Sequence, residues 1–154
     1  MPTTYRMVHA SCAAWEGSGV LLVGPPGAGK SDLLLRLLGE GWALVADDQV
    51  RLVAAGDGTL HAEAPEVLAG MVEARGLGLL TGLPHAPAPL RLVAELAPAE
   101  VARLPLPRER VLEGGERLPL LALDPFAASA PQKLRRAVEV LAGRLGMAAG
   151  AFAA

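Results

Sequence analysis

A net charge of −2 over 154 residues offers no basic footprint for a nucleic-acid backbone, and no run approaches the roughly 18 uninterrupted apolar residues that a membrane helix needs. A single cysteine, Cys12, excludes an internal disulfide framework and fits a reducing compartment, so a cytoplasmic protein with neither nucleic-acid nor membrane partners is expected. The length suits one domain spanning residues 1–154, with an apolar fraction of 52% carried by Ala, Leu and Val while aromatics make up only 3%.

In chain order, residues 6–15 and 19–23 read as two strands joined by a hairpin turn at Glu16-Gly17-Ser18-Gly19. Cys12, inside the first of them, reads as a small buried hydrophobe. The second strand runs into Gly24-Pro25-Pro26-Gly27-Ala28-Gly29-Lys30-Ser31, which meets the phosphate-binding pattern G-x-x-x-x-G-K-[ST] at each fixed position. Asp32-Leu33-Leu34-Leu35-Arg36-Leu37-Leu38 then reads as a helix, stopped by Gly39 and Gly41. Strand, loop and helix are the context that gives the motif meaning. Glycines let successive N–H groups turn inward on an anion, and the helix N-terminus adds partial positive charge. Lys30 is suited to the terminal phosphates and the Ser31 hydroxyl to Mg²⁺. Only two of the fourteen Lys and Arg residues are lysines, Lys30 and Lys133, so a lysine at this position is not background.

Residues 42–46 form the next apolar strand, which ends in two acids, Asp47 and Asp48. The helix carries the chain away from the loop and this strand returns it, so acids at its end can lie beside the phosphates. Successive strand side chains point to opposite faces, which predicts one acid facing the nucleotide and the other ordering the turn. The chain continues extended over 49–53, turns at Gly56-Asp57-Gly58 and returns over 59–63, with a short helix predicted over 65–70. Val72-Glu73-Ala74-Arg75 reads as a strand end before Gly76-Leu77-Gly78. On a strand Glu73 and Arg75 share a face; a carboxylate there can hold Mg²⁺ and an arginine can hold a phosphoryl group bidentately. Residues 81–89 read as a proline-containing loop, 90–96 as a strand, 98–103 as a helical turn, 108–117 as an exposed polar stretch and 118–123 as a last strand. A helix is predicted from Pro131 to about Leu145, capped by Ser129 or Ala130, with Leu134, Val138, Leu141 and Leu145 on its apolar face. Residues 146–154 read as a flexible tail. The interleaving of hairpins with helices predicts an α/β fold: a mixed β-sheet carrying the phosphate loop, with flanking helices.

Taken together, these motifs resemble the catalytic domain of the HPr kinase/phosphorylase family, in order and spacing from about His9 to Leu80. The family's loop corresponds to residues 24–31, its Leu-Val-Ala-Asp-Asp-x-Val run to Leu44-Val45-Ala46-Asp47-Asp48-Gln49-Val50, and its Glu-x-Arg-Gly-x-Gly run to Glu73-Ala74-Arg75-Gly76-Leu77-Gly78. The resemblance implies an HPr kinase/PEP carboxykinase-like fold and an ATP- and Mg²⁺-dependent kinase that phosphorylates a serine of HPr, the phosphocarrier protein of the sugar phosphotransferase system. It implies Asp48 as the general base, Lys30 on the transferring phosphoryl group, and Ser31 and Glu73 on Mg²⁺, with Asp47 beside them. His9, on the strand before the loop, becomes a supporting catalytic residue, Arg75 stabilises charge, and Arg103 is the family's other catalytic arginine. Hexameric assembly is the family's habit.

Some features depart from the family. Asp32 stands where Glu is usual, and Trp42 where His is usual. The chain looks like the short form without the N-terminal domain. No basic residue occurs within 118–123, near where the loop linked to phosphorolysis would lie, so the kinase direction is the expectation. Two other readings stay open. A small-molecule kinase would share the loop, although no arginine-bearing lid separates it from Asp48. A regulatory module would bind nucleotide without turnover.

Overall fold

A computed structural model of the protein describes residues 5–97 and 101–153. Eleven strands and two helices follow in the order β1 (Tyr5–Val8), β2 (Ser11–Trp15), β3 (Ser18–Val23), α1 (Lys30–Gly39), β4 (Ala43–Ala46), β5 (Val50–Ala54), β6 (Leu60–Glu63), β7 (Val72–Ala74), β8 (Gly78–Leu80), β9 (Ala88–Leu96), β10 (Glu109–Val111), β11 (Arg117–Leu123) and α2 (Ala130–Leu141). A single 3-10 turn, Glu66–Leu68, precedes β7.

Strands β1-β5-β6-β9-β3-β2-β4 lie side by side in that order, β11 joins β9, and β10 pairs with β11. The nine-residue β9 is the hub. It runs parallel to β3 along one edge. Its other edge is shared between β6, which is antiparallel at Ala88 and Pro89, and β11, which is parallel from Val93 to Leu96. The mixed sheet expected from the sequence is therefore present. Its central strands are continuous apolar runs, Gly19-Val20-Leu21-Leu22 above all, because both faces are covered. One face packs Val20, Leu22, Leu92, Ala94 and Leu96 against Leu33, Leu34 and Leu37 of α1 and Leu134 and Val138 of α2. On the other, Leu21 and Val93 meet Val50 and Leu52 of β5 and Leu60 and Ala62 of β6, so the sheet curls over its own second face.

Both helices stop by the same device. The N–H of Trp42 bonds Leu37 O and that of Gly41 bonds Leu38 O, with Gly41 at φ 92; the N–H of Arg144 bonds Glu139 O and that of Gly143 bonds Val140 O, with Gly143 at φ 78. Each is a Schellman motif built on a left-handed glycine.

Several expected elements are corrected. Residues 6–15 are two strands, broken at His9 and Ala10, and β1 leaves its neighbour in sequence to pair with β5. The helix from Pro131 ends at Leu141 because Gly143 closes it, which leaves Leu145 40% exposed and beyond its end. The polar stretch 108–117 is exposed but contains β10, hairpinned to β11. Residues 98–100 lie outside the described residues, and 101–103 form no helix. The expected loose tail has Ala151 buried and Phe152 packed on the α1–α2 core.

Candidate active site

The phosphate-loop motif sits where strand β3 hands over to helix α1, at the C-terminal edge of the parallel strands, the edge at which α/β sheets take their ligands. Pro25, Pro26 and Gly27 are exposed. Gly27 and Gly29 have φ of 83 and 98, and Gly29 is the N-terminal flanking residue of α1. A side chain on Gly24 would come within 2.9 Å of the Ala28 Cβ and 3.3 Å of Leu96 O, so this glycine is also required by close approach. Lys30 is buried, and its Nζ donates to the carbonyl oxygens of Gly24 at 2.6 Å and Pro25 at 3.2 Å. The lysine therefore curls over the loop from which it springs and holds its charge at the loop mouth.

The two acids at the end of β4 part company. Asp47 is 6% exposed and turned inward. Its Oδ1 accepts from Ser31 Oγ at 2.8 Å and from Ser11 Oγ at 2.8 Å, and its Oδ2 accepts from the Glu73 backbone N–H at 3.0 Å. One carboxylate thus ties together β2, the start of α1 and β7. Asp48 has φ 69, a left-handed conformation that turns the chain outward immediately after Asp47. Its side chain is 66% exposed, and its Oδ1 accepts from Nε2 of His9, 57% exposed, at 2.8 Å. A carboxylate only accepts, so the contact is a hydrogen bond in the tautomer that carries its proton on Nε2.

His9 is placed by the break between β1 and β2, a correction to its expected position on a strand. The Ala10 N–H bonds Asp48 O at 3.2 Å, which brings the break against the Asp47–Asp48 turn.

Ser11 is the residue that reading motifs missed. It is fully buried, donates to Asp47 Oδ1 and accepts the Asp48 N–H at 3.2 Å, so one hydroxyl fixes both acids. The available signal was a lone hydroxyl in the apolar strand Ser11-Cys12-Ala13-Ala14-Trp15, since buried polar groups need partners.

The third motif is partly in place. Glu73 reaches the site through its backbone, while its side chain is exposed on β7. Arg75 does not share a strand face with it; it lies in the exposed turn between β7 and β8, closed by Leu77 N–H to Ala74 O at 2.9 Å. Arg103 lines a separate cavity of about 450 Å³ with Leu121, Asp124, Arg136 and Phe152, and is not among the partners of His9, Asp47 or Asp48. Among the described residues no three His, Cys, Asp or Glu side chains converge as a ready-made metal cage.

The HPr kinase/phosphorylase of Bordetella pertussis is 44% identical over 79 residues, which is 51% of this chain and 25% of the relative. That of Caldicellulosiruptor bescii is 42% identical over 72 residues, 47% of this chain and 23% of the relative. That of Nitrosomonas europaea is 47% identical over 64 residues, 42% of this chain and 20% of the relative. The matched stretch is thus about a quarter or less of the length of these curated relatives. The solved structure of the Hpr(Ser) kinase/phosphatase from Coxiella burnetii shares the fold, with a TM-score of 0.73, 87% of this chain and 94% of that chain covered, and 24% identity. The model of the HPr serine kinase C-terminal domain matches residues 3–82, the span that contains the loop, both acids, His9 and the β7–β8 hairpin, and on that match the chain belongs to this family.

Proposed function

We propose that the chain is a cytoplasmic ATP- and Mg²⁺-dependent kinase that phosphorylates a serine of an HPr-type phosphocarrier protein. The observation that carries this reading is the splitting of the acid pair. Asp47 is drawn inward onto Ser31 at 2.8 Å, while Asp48, the very next residue, faces solvent with His9. One acid stands against the nucleotide's loop and the other stands where a protein acceptor can approach.

The chemistry follows from that division. A serine hydroxyl is a weak acid, so its oxygen becomes an effective nucleophile only as a base receives its proton. Asp48 would take that proton as the serine oxygen bonds to the γ-phosphorus and the bond from phosphorus to the leaving ADP oxygen breaks. The His9 Nε2–H, 2.8 Å from Asp48 Oδ1, orients the carboxylate for that task. Lys30 leaves the carbonyls of Gly24 and Pro25 for the phosphates, and the loop amides supply fixed dipoles where charge is transferred.

Magnesium is usually held by one or two carboxylates together with substrate phosphates, not by a full protein cage. The adjacent hard oxygens Ser31 Oγ and Asp47 Oδ1 fit that requirement, with Glu73 beside them through its backbone bond to Asp47. The ion would neutralise phosphate charge during transfer.

The test is incubation with Mg²⁺, γ-labelled ATP and an HPr-type phosphocarrier protein. Labelled phosphoserine on the acceptor is expected. Asp48→Asn should lower the transfer rate by about 10²- to 10⁴-fold while leaving the ATP dissociation constant within a few-fold. ATP binding with no transfer to the acceptor would overturn the reading.

A further inference from the structure

The parallel strands β3, β9 and β11 end side by side, so the loops that follow them crowd one edge of the sheet. The Ala97 N–H bonds Leu123 O at 2.9 Å, and the phosphate loop leaves β3 against Leu96 O. The loop after β11 carries Asp124, Pro125, Phe126 and Ala127 to this edge. There the Phe126 ring lies on the phosphate loop: a Cβ added to Gly29 would stand 3.2 and 3.3 Å from its Cε1 and Cζ.

Phe126 is nevertheless 60% exposed. The other aromatic side chains have packing partners, although Tyr5 is itself 53% exposed. Trp15 and Trp42 pack together with centroids 5.9 Å apart, Arg51 covers Tyr5, and Phe152 packs on the core.

The exposed ring is also held in place. Its backbone N–H donates to Asp124 Oδ1 at 2.9 Å. Arg36, projecting from α1, donates to the carbonyl of Pro125 and, at 3.5 Å, to that of Ala127, on either side of the ring. Asp32 receives the Arg36 Nε at 3.2 Å and steadies the clamp. The ring is thus open to solvent, held through its own loop, and set directly against the anion-binding loop.

We infer that Phe126 is the stacking platform for the base of the donor nucleotide. This rests on the reading of residues 24–31 as a nucleotide's phosphate cradle. The base of a nucleoside triphosphate held there would lie against the ring, and the Arg36 bonds to the carbonyls of Pro125 and Ala127 tie the loop that carries the ring to α1. The Asp32–Arg36 pair thereby acquires a role as support for the base subsite.

The experiment compares Mg²⁺-ATP with Mg²⁺-tripolyphosphate, which has the phosphates and no base, by calorimetry on the wild type, Phe126→Ala and Phe126→Trp. The exposed ring can be removed without unfolding, checked by an unchanged thermal midpoint. Loss of one stacked base corresponds to a roughly 5- to 150-fold weaker dissociation constant. Phe126→Ala is expected to lose ATP affinity in that range and to bind tripolyphosphate within about twofold of wild type. Phe126→Trp is expected to keep ATP affinity, and its indole emission should respond to ATP but not to tripolyphosphate. If Phe126→Ala binds ATP like the wild type, or loses both ligands equally, the platform is refuted while the phosphate cradle stands. If the wild type binds neither ligand, the cradle and the platform fall together.

Discussion

At the scale of single residues, the site depends on one hydroxyl. Ser11→Ala removes the donor to Asp47 and the acceptor for the Asp48 N–H. It should cost about 1–3 kcal/mol in urea unfolding, as expected when buried groups lose a partner. Because Asp48 would then drift, transfer to the acceptor should fall about 10- to 100-fold. Its neighbour Cys12 behaves as the small buried hydrophobe that its place in the sequence implies. Burial pushes its thiol up to about 12, opposed by a weaker backbone hydrogen bond at Val20. The reactive thiolate is therefore scarce near neutral pH, and iodoacetamide at pH 8 should leave the native protein unmodified by mass spectrometry while labelling it fully in denaturant. Ser31 and Lys30 could be singled out as candidates from letters alone because the loop pattern is local. Ser11 could not, because its partners lie 36 and 37 residues away.

At the scale of elements, the helices were legible in kind and less so in extent. Leucines at helical spacing marked both, and glycines ended both. For α2 the expected apolar face ran through Leu145, yet the cap built on the left-handed Gly143 ends the helix at Leu141, four residues short of it. Leu134→Ala should therefore cost about 2–5 kcal/mol by leaving a cavity in the core. Leu145→Ala, at a half-exposed position beyond the helix, should stay within about 0.5 kcal/mol. Equal losses in denaturant titrations would mean that the helix continues to Leu145. The β1–β2 break escaped notice because each half has strand composition. Only pairing, β1 with β5 and β2 with β3 and β4, separates them, and the separation is what delivers His9 to Asp48.

At the scale of the whole molecule, the edges are joined by contacts far apart in sequence. Arg6 Nη2 donates to Glu116 Oε1 at 2.9 Å and ties β1 to the β10–β11 hairpin. That hydrogen bond holds the Glu116 carboxyl below its ordinary value, against a smaller opposing effect of desolvation. A carboxyl with a depressed pKa in the folded state adds stability above its unfolded pKa and loses it as pH falls through the folded value. The wild type should thus lose slightly more stability than Arg6→Ala between neutral and acid pH in urea titrations. The difference should be below about 1 kcal/mol because the pair is partly solvated. By itself the sequence determined the strand and helix that flank residues 24–31, the acid pair that follows and the mixed sheet, since each rests on chemistry among near neighbours or on local periodicity. Tertiary structure alone decided which acid turns inward, that Ser11 governs both, and that Phe126 rests on Gly29, because each depends on strands or loops brought together from distant parts of the chain.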